Sequence, residues 1–496
     1  MNDRRVLSLK KRAAPVGRIV VGRILVGRMR ARLYLLVMAV AGLVVSPLGL
    51  SARAALFTAE TFTLGNGLQV VVVENHRAPV VLQMIFYKAG SADAPPGKSG
   101  IAHFLEHLMF KGTPTVGAGE FSHHVSLMGG EDNAFTTEDY TAFHQTVARD
   151  HLAEIMRMEA DRMTHLVLAE NQVTSERAVI IEERRRDLDS AVGKLDEMMT
   201  ASLFLNHPYR LPVLGWAHEM AKLSRQDALD FYGRWYAPDN AILVIAGDVT
   251  PAEVRPLAES IYGPIPSRTV RPRDRLMEPT AFAPRELVLR DPTGHQALWM
   301  RRYLAPPYRD PPAENYTLGP GGIRFDEGLN ARGPRNGYAL DVLAELLAGG
   351  ATSRLYRDLV VGKGIATGVD ADYDGAFLDY GRFTVTAVPP VGGDMAKLGQ
   401  AVDAALALLL SKGVSATELA AAKGRLQVSA IKARDGLMGP ARFVGISLAT
   451  GLSLDEVQSW ADKIAAVTDA DVMQAARQVL QVNTSVTGEL LAGPVP

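Results

Sequence analysis

The chain has 496 residues, of which 47% are hydrophobic and 22% charged, as expected for a globular protein of more than one domain. Its formal net charge of −1 gives no support for nucleic acid as a partner, because nucleic-acid binding usually needs a basic surface. The absence of cysteine excludes disulfides, thiolate metal sites and cysteine nucleophiles.

Residues 1–54 have the features of an export signal. Ten arginines and lysines lie in the first 32 residues, an apolar run from Leu33 to Val45 follows, and Ala52-Arg53-Ala54 has the spacing of a cleavage site. We therefore predict a signal peptide cleaved after Ala54, with Met29 as an alternative start, and a periplasmic mature protein. The alternatives are an uncleaved inner-membrane anchor, with membrane contact through this segment alone, and a mitochondrial presequence.

The first half of the mature chain mixes strand and helix patterns. Two runs of β-forming residues flank Asn66-Gly67, which predicts a strand, a tight turn and a second strand. Further strands are predicted at 78–87 and 141–147, an edge strand after the turn at 129–130, and a buried strand at 241–248. Helices are predicted at 150–167, from 171 to about 202 as one long helix, and at 224–235.

A proline-rich segment separates this half from a second one. Residues 264–284 contain five prolines and predict a linker between a first domain at 55–263 and a second at 285–496. The second half repeats the order of elements in outline. Its strands are predicted at 287–289, 297–303, 384–388 and 483–488, its helices at 338–348, 354–359 and 416–430, and a mobile inserted loop at 317–337.

The short apolar helix predicted from Gly100 to Phe110 carries unusual polar residues. His103 and His107 are four residues apart, so both imidazoles lie on one face of a helix, and Glu106 projects beside them. Two imidazoles at this spacing can bind one zinc ion, and a neighbouring carboxylate can accept a proton from water. Most histidine pairs at this spacing are ordinary core or surface residues. However, a carboxylate within an apolar run is costly to bury without a partner, which favours a site. The order H-x-x-E-H is also the reverse of the H-E-x-x-H motif of thermolysin-type zinc peptidases.

Five short motifs along the first half of the mature chain strengthen this interpretation. They are Asn66-Gly67-Leu68, the segment from Gly100 to Thr113, Asn133-Ala134-Phe135-Thr136, His207-Pro208-Tyr209 and the strand that ends at Gly247-Asp248. With them the chain resembles the pitrilysin/insulinase family of zinc peptidases, and in particular its half-length, processing-peptidase-like members. The resemblance covers residues 57–492. It implies an α+β fold of two similar domains, each a mostly antiparallel sheet covered by helices, and zinc-dependent cleavage of extended peptides or unfolded protein segments.

The resemblance also implies a third metal ligand, because two histidines leave a catalytic zinc ion one protein ligand short. The family supplies a glutamate from a later helix, in a segment that here runs from Glu176 to Glu183. The match assigns Glu183 as the ligand and Glu176 as a supporting carboxylate. Periodicity alone does not separate Glu183 from Glu182, whose directions on a helix differ by about 100°.

The family's substrate-binding segments match this chain only in part. Asn133 and Ala134 correspond to the edge strand that holds a peptide by strand addition, although a turn with a left-handed asparagine is the alternative reading. Active members also carry an arginine and, seven residues later, a tyrosine in the second half. Val360 and Thr367 stand at these positions.

This departure bears on partners and on activity. A homologous partner subunit that supplies the arginine and tyrosine would complete the site in a heterodimer, whereas a homodimer would need other donors, such as Arg354 and Tyr356. We therefore predict a zinc metalloendopeptidase with Glu106 as the general base. The alternatives are a non-catalytic assembly subunit with a retained metal site and a module that binds unfolded exported chains.

Overall fold

The computed structural model describes residues 57–493 apart from 271, 274, 280, 293–295, 310–334 and 433–435. It contains two mixed sheets, each covered by helices on both faces. The predicted α+β fold with two similar, mostly antiparallel sheets is thereby confirmed. The predicted signal peptide and most of the predicted loop at 317–337 lie outside the described residues.

The first sheet has the strand order β1-β2-β6-β3-β5-β4, in which only the β2–β6 pair is parallel. The edge strand predicted after Gly130 is β4. The strands of this sheet are β1 (Ala59–Thr63), β2 (Gln69–Glu74), β3 (Val80–Tyr87), β4 (Glu131–Thr136), β5 (Thr141–Ala148) and β6 (Ala241–Gly247). The helices of this half are α1 (Ile101–Leu108), α2 (Glu120–Leu127), α3 (Leu152–Thr164), α4 (Glu170–Asp187), α5 (Ala191–Leu203), α6 (Ala217–Met220), α7 (Arg225–Trp235) and α8 (Pro251–Ile261).

The second sheet has the order β7-β11-β8-β10-β9, with a parallel pair between β7 and β11. Its strands are β7 (Arg285–Asp291), β8 (Leu298–Ala305), β9 (Gly368–Asp374), β10 (Gly381–Val388) and β11 (Ser485–Ala492). A π-helical segment spans Tyr356–Gly362. The helices are α9 (Arg335–Ala348), α10 (Met395–Lys412), α11 (Ala416–Lys432), α12 (Met438–Ala449), α13 (Leu454–Gln458), α14 (Trp460–Ala466) and α15 (Asp469–Val479).

The two halves exchange one covering helix each. One face of the first sheet packs on α1, α3, α4, α7 and α8, while its other face is covered by α12 from the second half. In return α5, from the first half, covers the face of the second sheet opposite α9, α10 and α15. A glycine permits each close approach. A Cβ added to Gly445 of α12 would lie 1.9 Å from the Phe86 ring, and one added to Gly488 of β11 would lie 2.4 Å from Met199 Sδ on α5.

One helix prediction is wrong in the first half. The single helix predicted from residue 171 to about 202 is broken between Asp187 and Ala191 into α4 and α5. Ser190 caps the second helix, because its side chain accepts a hydrogen bond from the Gly193 N–H. The break lets α4 stay with the first sheet while α5 crosses to the second.

The described residues of the predicted linker at 264–284 form no helix or strand, yet they are firmly anchored. The Arg275 guanidinium is buried and pairs with Asp93, Asp139 and Asp379. The carboxylate of Glu278 accepts hydrogen bonds from three successive backbone N–H groups at residues 205–207. The segment therefore ties the two halves together by buried polar contacts.

Over the described part of the chain, no single helix is both long and apolar enough to cross a membrane. Only α10 and α11 taken together pass that test, across a bend of 113°.

Candidate active site

The H-x-x-E-H motif lies on α1, which is buried along its whole length except at His107. Gly100 precedes the helix with a φ of 85°, and a Cβ there would meet the Leu214 carbonyl oxygen at 2.4 Å. Glycine therefore lets the chain enter the helix beneath a neighbouring loop. The predicted one-face arrangement is present, with the rings of His103 and His107 4.6 Å apart between centroids.

Helix α4 packs on α1 and brings Glu183 to the two histidines. Its Oε2 lies 3.7 Å from His103 Nε2 and 3.3 Å from His107 Nε2. One donor atom from each of the three residues falls within 4.8 Å of the others, so this group could hold a metal ion. Glu182 is exposed and forms an ion pair with Arg185 instead.

Glu176 lies two turns before Glu183 on the same helix and contacts His107 from the opposite side of the ring. Its Oε1 is 2.9 Å from His107 Nδ1, and its other oxygen pairs with Lys111. Because the Nδ1–H donates to Glu176, Nε2 is the ring nitrogen that faces Glu183. Glu176 thus sets the orientation of the imidazole.

The surroundings shift the pKa values of the two histidines in opposite directions. Burial lowers the pKa of His103 to about 4, and the neighbouring His107 adds to this effect. Burial alone would also lower the pKa of His107, but its contacts with Glu176 and Glu183 outweigh it and raise the pKa to about 9. Hydrogen bonding to His107 holds the pKa of Glu183 below its usual value. The site therefore favours a positive charge at His107, between the two carboxylates, and a neutral ring at His103.

Glu106 is buried beside this group and is held by the edge strand. The Thr136 hydroxyl, on β4, donates a hydrogen bond of 2.6 Å to Glu106 Oε2. Burial raises the pKa of Glu106 to about 7, although the bond from Thr136 opposes this shift. A carboxyl group with a pKa near neutrality can both accept and return a proton.

Asn133 and Ala134 lie on β4, at the edge of the first sheet. The Ala134 N–H is bonded to the Asn133 side-chain oxygen at 2.8 Å rather than to β5. Because alternate residues of an edge strand direct both backbone groups outward, this N–H faces the open edge. The turn predicted as the alternative is not what forms here, since both residues pair with β5.

The residues at the expected arginine and tyrosine positions have structural contacts of their own. Val360 packs against the second core, and the Thr367 N–H and hydroxyl both bond to the Val388 carbonyl. Arg354 is already paired with Glu418.

The sequence reasoning assigned no role to Thr136 or Lys111, although both occur in the quoted motifs. The signal for Thr136 was the two-residue period of a strand, which puts it on the same face as Ala134. Lys111 lies four residues after His107, in the segment that follows the end of α1 at Leu108.

Comparisons with known proteins agree with this geometry. Residues 69–216 match the family described as Insulinase (Peptidase family M16), and residues 222–426 match the family described as Peptidase M16 inactive domain. The zinc protease PqqE of Helicobacter pylori is 30% identical over 312 residues, which are 62% of this chain and 65% of that protein, just under two thirds of its length. An uncharacterized zinc protease of Mycobacterium leprae is 30% identical over 365 residues, 74% of this chain and 76% of that protein.

Solved structures share the fold. A protease from Helicobacter pylori aligns with a TM-score of 0.77 and 26% identity over 88% of this chain and 99% of that one. The first half of the periplasmic protease PqqL from Escherichia coli aligns with a TM-score of 0.71 over 87% of this chain and 92% of that one, and at 18% identity it supports the fold alone. The chain therefore belongs to the M16, or insulinase, family of peptidases.

Proposed function

We propose that this protein is a zinc-dependent endopeptidase that cleaves extended peptides or unfolded protein segments. The observation that carries the proposal is the convergence of His103, His107 and Glu183 next to the buried carboxyl group of Glu106. Relatives named zinc proteases support the choice of metal.

The donor set fits zinc. Two imidazoles and one carboxylate are ligands of catalytic zinc sites, and tetrahedral coordination with bonds of about 2.0–2.1 Å requires donors about 3.4 Å apart. The Glu183 oxygen lies 3.3 and 3.7 Å from the two histidine nitrogens. The carboxylates that raise the pKa of His107 would equally stabilise a cation in place of the proton.

A zinc ion held by these three residues would supply Lewis-acid chemistry, lowering the pKa of water and polarising a carbonyl group. Glu106 would act as the general base towards the attacking water and later protonate the leaving amine. Thr136 holds its Oε2, which leaves Oε1 to accept the proton. Glu176 would hold the His107 ring in the orientation that directs Nε2 towards the metal ion.

The edge strand β4 would hold the substrate. A peptide that adds to this edge forms main-chain hydrogen bonds, so its affinity depends little on its sequence. Asn133 and Ala134 lie at the open edge, on the same strand as Thr136. The scissile bond of such a peptide would therefore pass close to Glu106.

We further propose that the chain is the zinc-bearing subunit of a dimer. Val360 and Thr367 provide no charged or phenolic donor, and Arg354 is engaged by Glu418. A homologous partner that lacks H-x-x-E-H and carries the arginine and tyrosine would complete the site. A homodimer with Tyr356 as a donor is the weaker version.

The domain division at 55–263, 264–284 and 285–496 and the export of the protein to the periplasm by residues 1–54 are part of the same proposal. The basic start, the apolar run from Leu33 to Val45 and the Ala52-Arg53-Ala54 site support the export.

The absence of an arginine and a tyrosine at residues 360 and 367 also favours a second candidate, a non-catalytic subunit that binds peptides. Glu106→Gln separates the two functions, because it removes the base and leaves the metal ligands intact. We expect the purified chain, alone or with a homologous partner, to cleave a peptide substrate, and we expect this cleavage to require zinc. The E106Q variant should retain zinc and lose turnover. Zinc uptake without cleavage in the wild type would support the second candidate, and near-wild-type turnover in E106Q would refute the assigned base.

A further inference from the structure

The two faces of the edge strand β4 have different surroundings. Ala134 and Thr136 face α1, as the bond from Thr136 to Glu106 shows. The intervening Asn133 and Phe135 face the opposite side, where the strand meets the layer formed by α12. A peptide added to β4 would direct alternate side chains to the same two faces. Every second side chain would therefore point away from the metal ligands.

Arg442 of α12 reaches this second face from the other half of the chain. Its guanidinium lies over the Phe135 ring, 4.4 Å from the ring centroid. Its Nε is buried and has no hydrogen-bond partner. Arg442 as a whole is half-buried, and within the part of the chain that the structure describes it forms no salt bridge, whereas Arg162, Arg184, Arg275 and Arg382 each pair with a carboxylate. The Nε atoms of Arg184, Arg275 and Arg382 also lack a partner, but their guanidinium groups are neutralised by carboxylates, so Arg442 is distinguished by having neither and is a candidate group for binding an anionic ligand.

His144 adds a second polar group to this face. It is the cross-strand partner of Asn133, and its Nδ1 is buried without a hydrogen-bond partner. Burial lowers the pKa of His144 to about 4, and the charge of Arg442 contributes, so the ring is neutral and can donate one hydrogen bond. The nearby carboxylate of Asp132 accepts a hydrogen bond of 2.6 Å from the Ser122 hydroxyl and, two residues before Ala134, belongs to the other face of β4.

We propose that Arg442, together with His144, forms a subsite that binds the carboxylate of an aspartate or glutamate side chain in a peptide added to β4. This inference rests on the proposed function, since it requires strand addition at this edge. The planar guanidinium carries donors in a fixed fork that suits a carboxylate, and stacking on Phe135 holds that plane in place. The preference applies only to side chains that point away from the metal site. An acidic residue at one such position of the substrate should therefore be recognised.

The test measures binding without cleavage. Fluorescent peptides that carry one glutamate at successive positions, and matched peptides with glutamine or lysine, are titrated by anisotropy against the full chain carrying Glu106→Gln. At one register we expect glutamate to bind about tenfold more tightly than glutamine, as for one charge-assisted hydrogen bond, and lysine to bind least tightly. Arg442→Gln should reduce the preference to about one, and Arg442→Glu should make lysine the preferred residue.

Arg234→Gln is the matched control, because this exposed arginine also stacks on an aromatic ring, that of Trp235 at 4.6 Å. It should leave the preference unchanged. Equal binding of the glutamate and glutamine peptides overturns the subsite while leaving the proposed function intact, and this comparison requires no variant of Arg442. A preference that survives in R442Q also overturns it. If no peptide binds at all, strand addition and the proposed function fail together.

Discussion

Glu176→Ala tests whether the second carboxylate on α4 supports the metal site without binding the metal. In the structure Glu176 fixes His107 through Nδ1 at 2.9 Å and neutralises Lys111. Its removal frees the imidazole to rotate and leaves the Lys111 ammonium group without its carboxylate partner. Loss of such a supporting partner typically weakens metal binding by about 10- to 100-fold, which is about 1.4–2.7 kcal/mol.

The measurement is a competition titration of zinc against a fluorescent chelator at fixed pH, with the metal-free protein. Glu182→Ala is the matched control, since Glu182 lies on the same helix but is exposed and pairs only with arginines. A double variant that adds Lys111→Met should recover part of the loss, because it removes the unpaired ammonium group. Zinc affinity in E176A within twofold of the wild type would refute the assigned role, as would an equal loss in E182A.

Two further predictions concern stability and are measured by urea unfolding. Arg275→Met should lower the free energy of unfolding by about 3–5 kcal/mol, because it leaves three carboxylates around a buried site without their cation; a loss below about 1 kcal/mol would contradict this reasoning. Gly445→Ala should cost about 1–3 kcal/mol, since the new methyl group overlaps the Phe86 ring. Gly424→Ala, with open space around it on α11, should instead stabilise by about 0.5–1 kcal/mol, and the same sign for both variants would refute the packing argument.

The sequence predicted best those features that depend on local spacing. The four-residue separation of His103 and His107 places both rings on one side of any helix, whatever the helix packs against. The turn at Asn66-Gly67 likewise follows from residue type, because Gly67 adopts a φ of 90°. Ser415, whose residue type favours the position before a helix, caps α11, since its hydroxyl accepts a hydrogen bond from the Glu418 N–H.

Features that depend on distant contacts could not be predicted in the same way. Glu182 and Glu183 are adjacent and chemically identical, and only the packing of α4 on α1 turns one of them towards the histidines. The break at Ser190 was hidden because the helical pattern continues on both sides of it. An apolar helix face also does not reveal which sheet it covers, so the crossing of α5 and α12 was not foreseen. The role proposed for Arg442 depends on that crossing.

The exchanged helices have a consequence for how the polypeptide becomes a folded molecule. A gene fragment that stops at the proline-rich segment would encode the first sheet without α12. The apolar face that α12 covers, which includes Val71, Met84 and Phe86, would then be exposed. During synthesis this apolar face stays uncovered until α12, which begins at Met438, has left the ribosome. Neither half alone therefore covers both faces of its own sheet, and a fragment of either would expose an apolar surface.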